Sequence, residues 1–406
     1  MCYDCPKGST ALRKMGADNV VIKNRTVGYS AVQGFFWTGY AGIMGYCSMY
    51  LLYAGFDNSQ VGLLIAAAGL LSALLQPVTA SYADRPGGVP LKWIVFLTEA
   101  VNLACALVLC LTGRNRIAAG VCYGVCMVLL QMTTPLVNSM GIATVNGGER
   151  MNFGVARGFG SLGYGASAYL IGVLTRRFGE PAVPVSMAAG LALVLLFVAD
   201  YPNPRPAQVE KAATARKGGF LRRYPRFCCV LVGLVLIFIS HAVLNSFTYQ
   251  IVVYKGGDSQ NMGTAMFLAS LMELPVMFLF GWMQRKVRCD IWFRVSGVFF
   301  LLKTLGTWLC ADMAGFYAIQ LCQMGGFALM TVSSVFYINS LMSPGDSVKG
   351  QACFTVTMTL GNVLGAIAAG RILDSLGVPA MLLFATACAF LGAVIVLAFT
   401  QKTQKA

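Results

Sequence analysis

The feature that most restricts this chain is a succession of twelve apolar stretches, each about 20 residues long, the length a helix needs to cross the hydrocarbon core of a bilayer. They lie near 29–54, 60–82, 91–112, 117–143, 153–175 and 181–199, then near 227–252, 262–283, 292–311, 315–341, 350–372 and 378–399. The intervals carry turn residues such as Gly55-Phe56-Asp57-Asn58, Asn146-Gly147-Gly148 and Gly256-Gly257-Asp258, which end one helix and let the chain reverse. Backbone groups in lipid must satisfy their own hydrogen bonds, so each stretch is predicted to be a helix and the chain an all-α membrane protein.

Composition agrees. Only 11% of residues are charged and 57% are hydrophobic, too few charges to cover a soluble domain. A disordered chain, a nucleic-acid module and a cytosolic enzyme are thereby excluded. The net charge of +15 would suggest nucleic acid in a soluble protein, but here the basic residues sit in short loops between apolar runs. Counting alternate connections, 22 of the 30 Lys and Arg fall on the side of the two termini, and 6 on the other. That bias predicts both termini on the cytoplasmic side of the plasma (inner) membrane. The first 25 or so residues are polar and basic, without the apolar run of a signal peptide.

The longest polar interval, 200–226, holds Pro202, Pro204 and Pro206 and seven basic residues. It divides the chain into a cytoplasmic tail (1–27), a six-helix bundle (28–199), a cytoplasmic linker (200–226), a second six-helix bundle (227–400) and a short tail (401–406). The halves echo each other. Tyr82-Ala83-Asp84-Arg85 closes the second stretch and Trp282-Met283-Gln284-Arg285 the eighth. A same-direction repeat of six helices is the signature of a carrier whose halves move about a central site. The cysteines lie mostly inside apolar segments, where they act as small packing residues. Cys2 and Cys5 form a C-x-x-C without the second pair a zinc site needs, so neither metal nor cofactor is expected.

The connection Ala80-Ser81-Tyr82-Ala83-Asp84-Arg85-Pro86-Gly87 resembles the Gly-x-x-x-Asp-Arg-x-Gly signature of the major facilitator superfamily. Further segments, Gly62 to Pro77, Asn152-Phe153-Gly154-Val155-Ala156-Arg157 onward and Leu271-Met272-Glu273-Leu274-Pro275, resemble its oligosaccharide:proton symporter (lactose permease-like) branch and the related phenylpropionate and nucleoside permeases. The resemblance implies a twelve-helix fold in two six-helix pseudo-repeats and a cytoplasmic gate at Asp84 and Arg85. It also implies substrate contacts by Arg157 and Glu273. Tyr164 stands where the branch has a stacking tryptophan, and Lys303 where it has an arginine. Two departures stand out: Asn138 replaces a glutamate, and Gln323 and Gly326 fall near the branch's histidine and coupling glutamate, so coupling through that pair is not expected here.

Charged and titratable side chains at membrane depth are costly and mark function by default. Arg157, His241, Glu273, Lys303 and Glu99 are the five that stand out. A guanidinium offers two parallel hydrogen bonds to hydroxyls or a carboxylate, which suits Arg157 to substrate. Glu273, His241 and Lys303, at similar depth in neighbouring helices, are candidates for proton coupling, with Lys303 neutralising Glu273. Glu99 is expected to face headgroups or the cavity. Tyr40, Asn245, Tyr164 and Asn138 complete the candidate substrate contacts. The expected function is alternating-access transport of a small polar organic solute (a sugar, nucleoside or aromatic acid) by a monomer embedded in the bilayer. Proton symport is the first reading and a proton-coupled exporter of amphipathic compounds the alternative; neither nucleic acid nor enzymatic chemistry is expected.

Overall fold

The structure, a computed structural model, describes residues 25–83, 88–203 and 220–403. Cys2, Cys5 and the expected gate residues Asp84 and Arg85 lie outside the described residues.

Twelve helical crossings follow one another. α1 runs through Thr26–Tyr40, a π-helical turn at Ala41–Gly45 and Cys47–Tyr53. It is followed by α2 (Asn58–Ala83), α3 (Leu91–Thr112), α4 (Arg116–Asn146), α5 (Phe153–Phe178) and α6 (Ala182–Asp200). After a helical turn at Phe220–Arg223, α7 comprises Pro225–Ser246 and Thr248–Tyr254. Then come α8 (Ser259–Lys286), α9 (Cys289–Leu309) and α10, which runs through Met313–Gln320, a second π-helical turn at Met324–Ala328, and Leu329–Leu341. The last helix, Pro344–Phe399, is broken at Gly377, whose φ of 78° only glycine adopts without strain. The break gives α11 (344–376) and α12 (378–399).

Local chemistry explains the starts. Asn115, Asn152, Asp258 and Asp312 each accept a backbone N–H in the first turn of the helix they precede, satisfying donors that would otherwise be orphaned. Among the described residues eight helices are long and apolar enough to span a bilayer by composition alone, because the pair α11 and α12 counts as one and α1 is interrupted. The two others that fall short are α5, diluted by glycines and Arg157, and α9, which carries Asp290, Arg294 and Lys303. The least apolar crossings therefore carry two of the residues singled out from sequence. Large apolar side chains such as Leu111, Leu74, Leu196 and Phe390 point outward and exposed, as a lipid-facing surface requires.

Helices α1–α6 form one bundle and α7–α12 the other, in agreement with the predicted six-plus-six repeat. The bundles meet where α5 packs on α8 and α2 on α11. At Gly62 of α2 a Cβ would collide with the Ala366 carbonyl of α11, so the absence of a side chain sets this close approach.

Among the described residues, polar contacts between the bundles gather at the end away from the termini. Asp374 of α11 accepts from the Asn58 and Ser59 backbone N–H groups at 3.2 and 2.7 Å and from both of their side chains. A carboxylate thus sits on the N-terminus of α2, where the helix dipole favours negative charge. In the pseudo-equivalent place, Arg176 of α5 pairs with Asp258 at 3.1 Å and donates to Gln260 at 2.8 Å, at the start of α8. Gln250 donates to Asn58 at 2.9 Å, and Ser259 to the Gly172 carbonyl at 3.2 Å. These contacts seal that end of the molecule.

Candidate functional site

Between the bundles lies a cavity of about 360 Å³. Its walls are built by helical periodicity. Trp37, Tyr40 and Met44 line it from α1, Arg157, Ser161 and Tyr164 from α5, His241 and Asn245 from α7, and Met266, Ser270, Glu273 and Met277 from α8. Spacings of three, four and seven residues place each group on one face of its helix.

On the α1–α5 side the wall is aromatic and cationic. Trp37, Tyr40 and Tyr164 form a cluster: Trp37 and Tyr40 lie 4.7 Å apart by ring centroid, and Tyr164 meets both edge-on at 6.4 and 6.1 Å. The Arg157 guanidinium lies 4.6 Å over the Trp37 ring, a cation–π arrangement. Its Nη1 is buried and has no hydrogen-bond partner, so the guanidinium is held by its plane and keeps a donor free. Trp37 is itself fixed from behind, where its ring N–H donates to Gln33 Oε1 at 3.0 Å. Gln33 in turn donates to Tyr29 at 2.7 Å and to Asn138 Oδ1 at 3.2 Å.

The α7–α10 side is polar and titratable. Lys303 Nζ of α9 donates to Gln323 Oε1 at 2.5 Å, and Gln323 Nε2 of α10 donates to Glu273 Oε1 of α8 at 2.8 Å. Ser161 reaches Glu273 from α5, across the bundle interface. His241 stacks on Phe327 at 4.7 Å and meets Phe300 edge-on, while its Nε2 and Asn245 Nδ2 lie 2.7 Å apart. Gln323 immediately precedes the π-helical turn of α10, and Phe327 lies inside it. Such turns displace side chains from the ordinary helical register and recur at functional sites.

The structure thus brings together Arg157, Tyr164, Tyr40, Asn245, Glu273, His241 and Lys303 on one cavity. Three residues stand differently from the sequence expectations. Asn138 is off the cavity lining and supports Gln33 from behind. Lys303 does not meet Glu273 directly, because the Gln323 amide is interposed. Glu99 faces neither headgroups nor cavity: it is fully buried within the first bundle, accepting from Asn102 Nδ2 at 3.2 Å with its other oxygen unpartnered. Trp37, Gln33 and Ser161 are site or supporting residues that the sequence reading does not retain as candidates, and Gln323 enters it only as a departure near the branch's histidine. The available signal was spacing: Gln33, Trp37, Tyr40 and Met44 share a face of α1. Among the described residues no group of three metal-ligating side chains occurs.

The geometry is that of a solute carrier, and comparison with known proteins agrees. Residues 27–386 match the model of the MFS_1 like family. No curated protein sequence matches the chain. Among solved structures, the nucleoside transporter NupG superposes with a TM-score of 0.72 at 14% identity, covering 91% of this chain and 96% of that one. A single-site mutant of NupG gives 0.74 at 15%, covering 92% and 97%. A mutant of the peptide transporter POT gives 0.74 at 11%, covering 92% and 93%. At such identities these likenesses establish the fold, and the family match does the rest: the chain belongs to the MFS_1 like family and is a multi-pass membrane transporter with the major facilitator fold.

Proposed function

We propose that the protein is a proton-driven symporter for a small polar organic solute (a sugar, nucleoside or aromatic acid), working by alternating access in the plasma membrane. The observation that carries this reading is the confrontation, across one cavity, of an unpaired guanidinium donor backed by aromatic rings with a carboxylate wired to a buried lysine. A solute lying between Arg157 and Glu273 would touch both bundles, so its binding would bear on their relative position. The planar guanidinium matches paired oxygens, and Trp37, Tyr40 and Tyr164 offer faces for a ring. Proton binding at Glu273 would remove a charge from the site before it is carried across, lowering the cost of that movement. Structural likeness to a protein described as a nucleoside transporter makes nucleosides the first solutes to test.

Charge distribution supports the orientation. With 22 of 30 basic residues on one side, the termini and the 200–226 linker would be cytoplasmic, and the end sealed by Asp374 and Arg176 extracellular. The conformation described here would then be closed to the outside. The bundles 28–199 and 227–400 would be the moving bodies of a single monomer.

The test is uptake of labelled nucleosides, monosaccharides and aromatic acids into proteoliposomes under an imposed pH gradient, with and without a protonophore. Accumulation that collapses with the protonophore is expected. Uptake equally fast without a gradient, or driven only by counter-solute, rejects the proton. Reporter fusions at Gly113 and Gly256 should read outside and fusions in 205–220 inside; a linker that reads outside rejects the orientation.

A further inference from the structure

Resting on the proton-coupled reading above, we infer that Gln323 is the positioning residue of the coupling site: it fixes Glu273 Oε1 as an acceptor, holds Lys303 off the carboxyl, and so assigns the transported proton to Glu273 Oε2.

The argument starts from what an amide can do. Its oxygen only accepts and its NH2 only donates, and it takes up no proton at ordinary pH. Lys303 Nζ donates to Oε1 of Gln323, and an ammonium has donors only, so the amide orientation is set by its neighbour. The NH2 must then face Glu273, where it donates to Oε1 at 2.8 Å. In the protonated acid the carbonyl oxygen is a stronger acceptor than the hydroxyl oxygen, so that bond favours keeping Oε1 unprotonated. The proton therefore enters and leaves at Oε2, the carboxyl oxygen not engaged by Gln323.

The amide also separates charge. A lysine in direct contact would hold Glu273 ionised and resist proton loading. With one amide between them, Lys303 is satisfied without capturing the carboxylate, and the carboxyl remains free to titrate. Arg157 and Tyr164 from α5 and Lys303 from α9 bear on it directly; Tyr40 from α1 and His241 from α7 face the same cavity, and Cys322 from α10 acts on Lys303. Gln323 alone among the described residues is hydrogen-bonded to both Lys303 and Glu273.

A second, independent observation concerns the backbone. Gln323 sits at the junction where α10 passes from Met313–Gln320 into the π-helical turn at Met324–Ala328. A helix of ordinary register through this point would turn residue 323 to a different azimuth. The Gly325-Gly326 pair admits the turn against the Phe299 ring, where a Cβ at Gly325 would collide. The distortion is thus tied to the placement of the bridging amide, and of Phe327 against His241.

The experiment is a pH titration of the purified protein by infrared difference spectroscopy, following the protonated-carboxyl band that Glu273→Gln removes. Gln323→Met removes the amide at similar volume. It is expected to move the midpoint by about one unit or more, because it removes both the amide donor to Glu273 and the spacer that holds Lys303 away, and to change the band frequency. Gln323→His, whose ring can accept from Lys303 on one nitrogen and donate to Glu273 from the other, is expected to restore both toward wild type and to restore gradient-driven uptake lost in Gln323→Met. A wild-type band that titrates and is unchanged in midpoint and frequency by Gln323→Met overturns the positioning role while leaving proton coupling intact. A wild-type Glu273 carboxyl that does not titrate at all overturns the coupling reading and this assignment with it.

Discussion

Glu273 and Glu99 are both carboxylic side chains at membrane depth, one in each bundle, and they differ in almost everything else. Glu273 lines the cavity, accepts from Gln323 and is reached from the opposite bundle by Ser161. Glu99 lies on the inner side of α3, wholly buried, with Asn102 as its one hydrogen-bond partner and an oxygen left over. Arg157 and Lys303 flank the first across a space that can take a solute; around the second there is packed side chain. Residue type and depth make an acid expensive, while only access and partners make it useful. On the proposed reading the two carboxylates separate a coupling role, at Glu273, from a structural one, at Glu99.

The largest effect should come from Glu273→Gln. Loss of the titratable group is expected to abolish accumulation against a gradient while sparing exchange of solute for solute, measured in the same vesicles. Wild-type accumulation in this variant would erase the distinction between the two acids. Next is Arg157. Arg157→Ala removes charge-assisted hydrogen bonds worth about 1.5–3 kcal/mol each, and affinity should fall about 10- to 100-fold by direct binding measurement. Arg157→Lys should keep the charge and insertion yet lose most binding, because the planar fork is gone. Unchanged affinity in the alanine variant would reduce Arg157 to packing on Trp37.

A smaller effect is expected at the sealed end. Asp374→Ala deletes the carboxylate that accepts four hydrogen bonds across the bundles, and should favour the opposite conformation on the order of tenfold. Spin labels at Gln60 and Ser375 would report it as a shift in the distance distribution; an unaltered distribution would show that the remaining contacts, Arg176 with Asp258 and Gln260, Gln250 with Asn58 and Ser259 with Gly172, hold this end without Asp374. The least effect is expected from Glu99→Gln, an isosteric change away from the cavity. Uptake should change less than about twofold and stability by about 1 kcal/mol or less. If instead Glu99→Gln abolishes coupling, the proton passes through the first bundle and the contrast between the two acids is reversed.

Much of this was legible in the sequence. Twelve apolar runs separated by turn residues dictate twelve helices, because no other backbone form satisfies itself in lipid. The weak internal repeat and the polar 200–226 segment divide them six and six. Arg157, Glu273, His241 and Lys303 could be singled out because their charge or polarity is anomalous at that depth. Gln33 and Trp37 could not, and Gln323 stood out only as a departure near the branch's histidine: glutamine and tryptophan carry no such anomaly, and their importance lies in which partner they touch across helices far apart in the chain.

Sequence alone therefore determined the number of crossings, their grouping and the short roster of costly side chains, since these follow from hydrophobic length and solvation, which are local properties. Tertiary structure decided which of those side chains share a cavity. It turned Glu99 into the first bundle and Glu273 into the space between bundles, moved Asn138 behind Trp37, and set Gln323 between Lys303 and Glu273 by way of a π-helical turn. Those outcomes depend on helix azimuth and on contacts between α8, α9 and α10, which are fixed by packing of whole faces rather than by any residue taken singly.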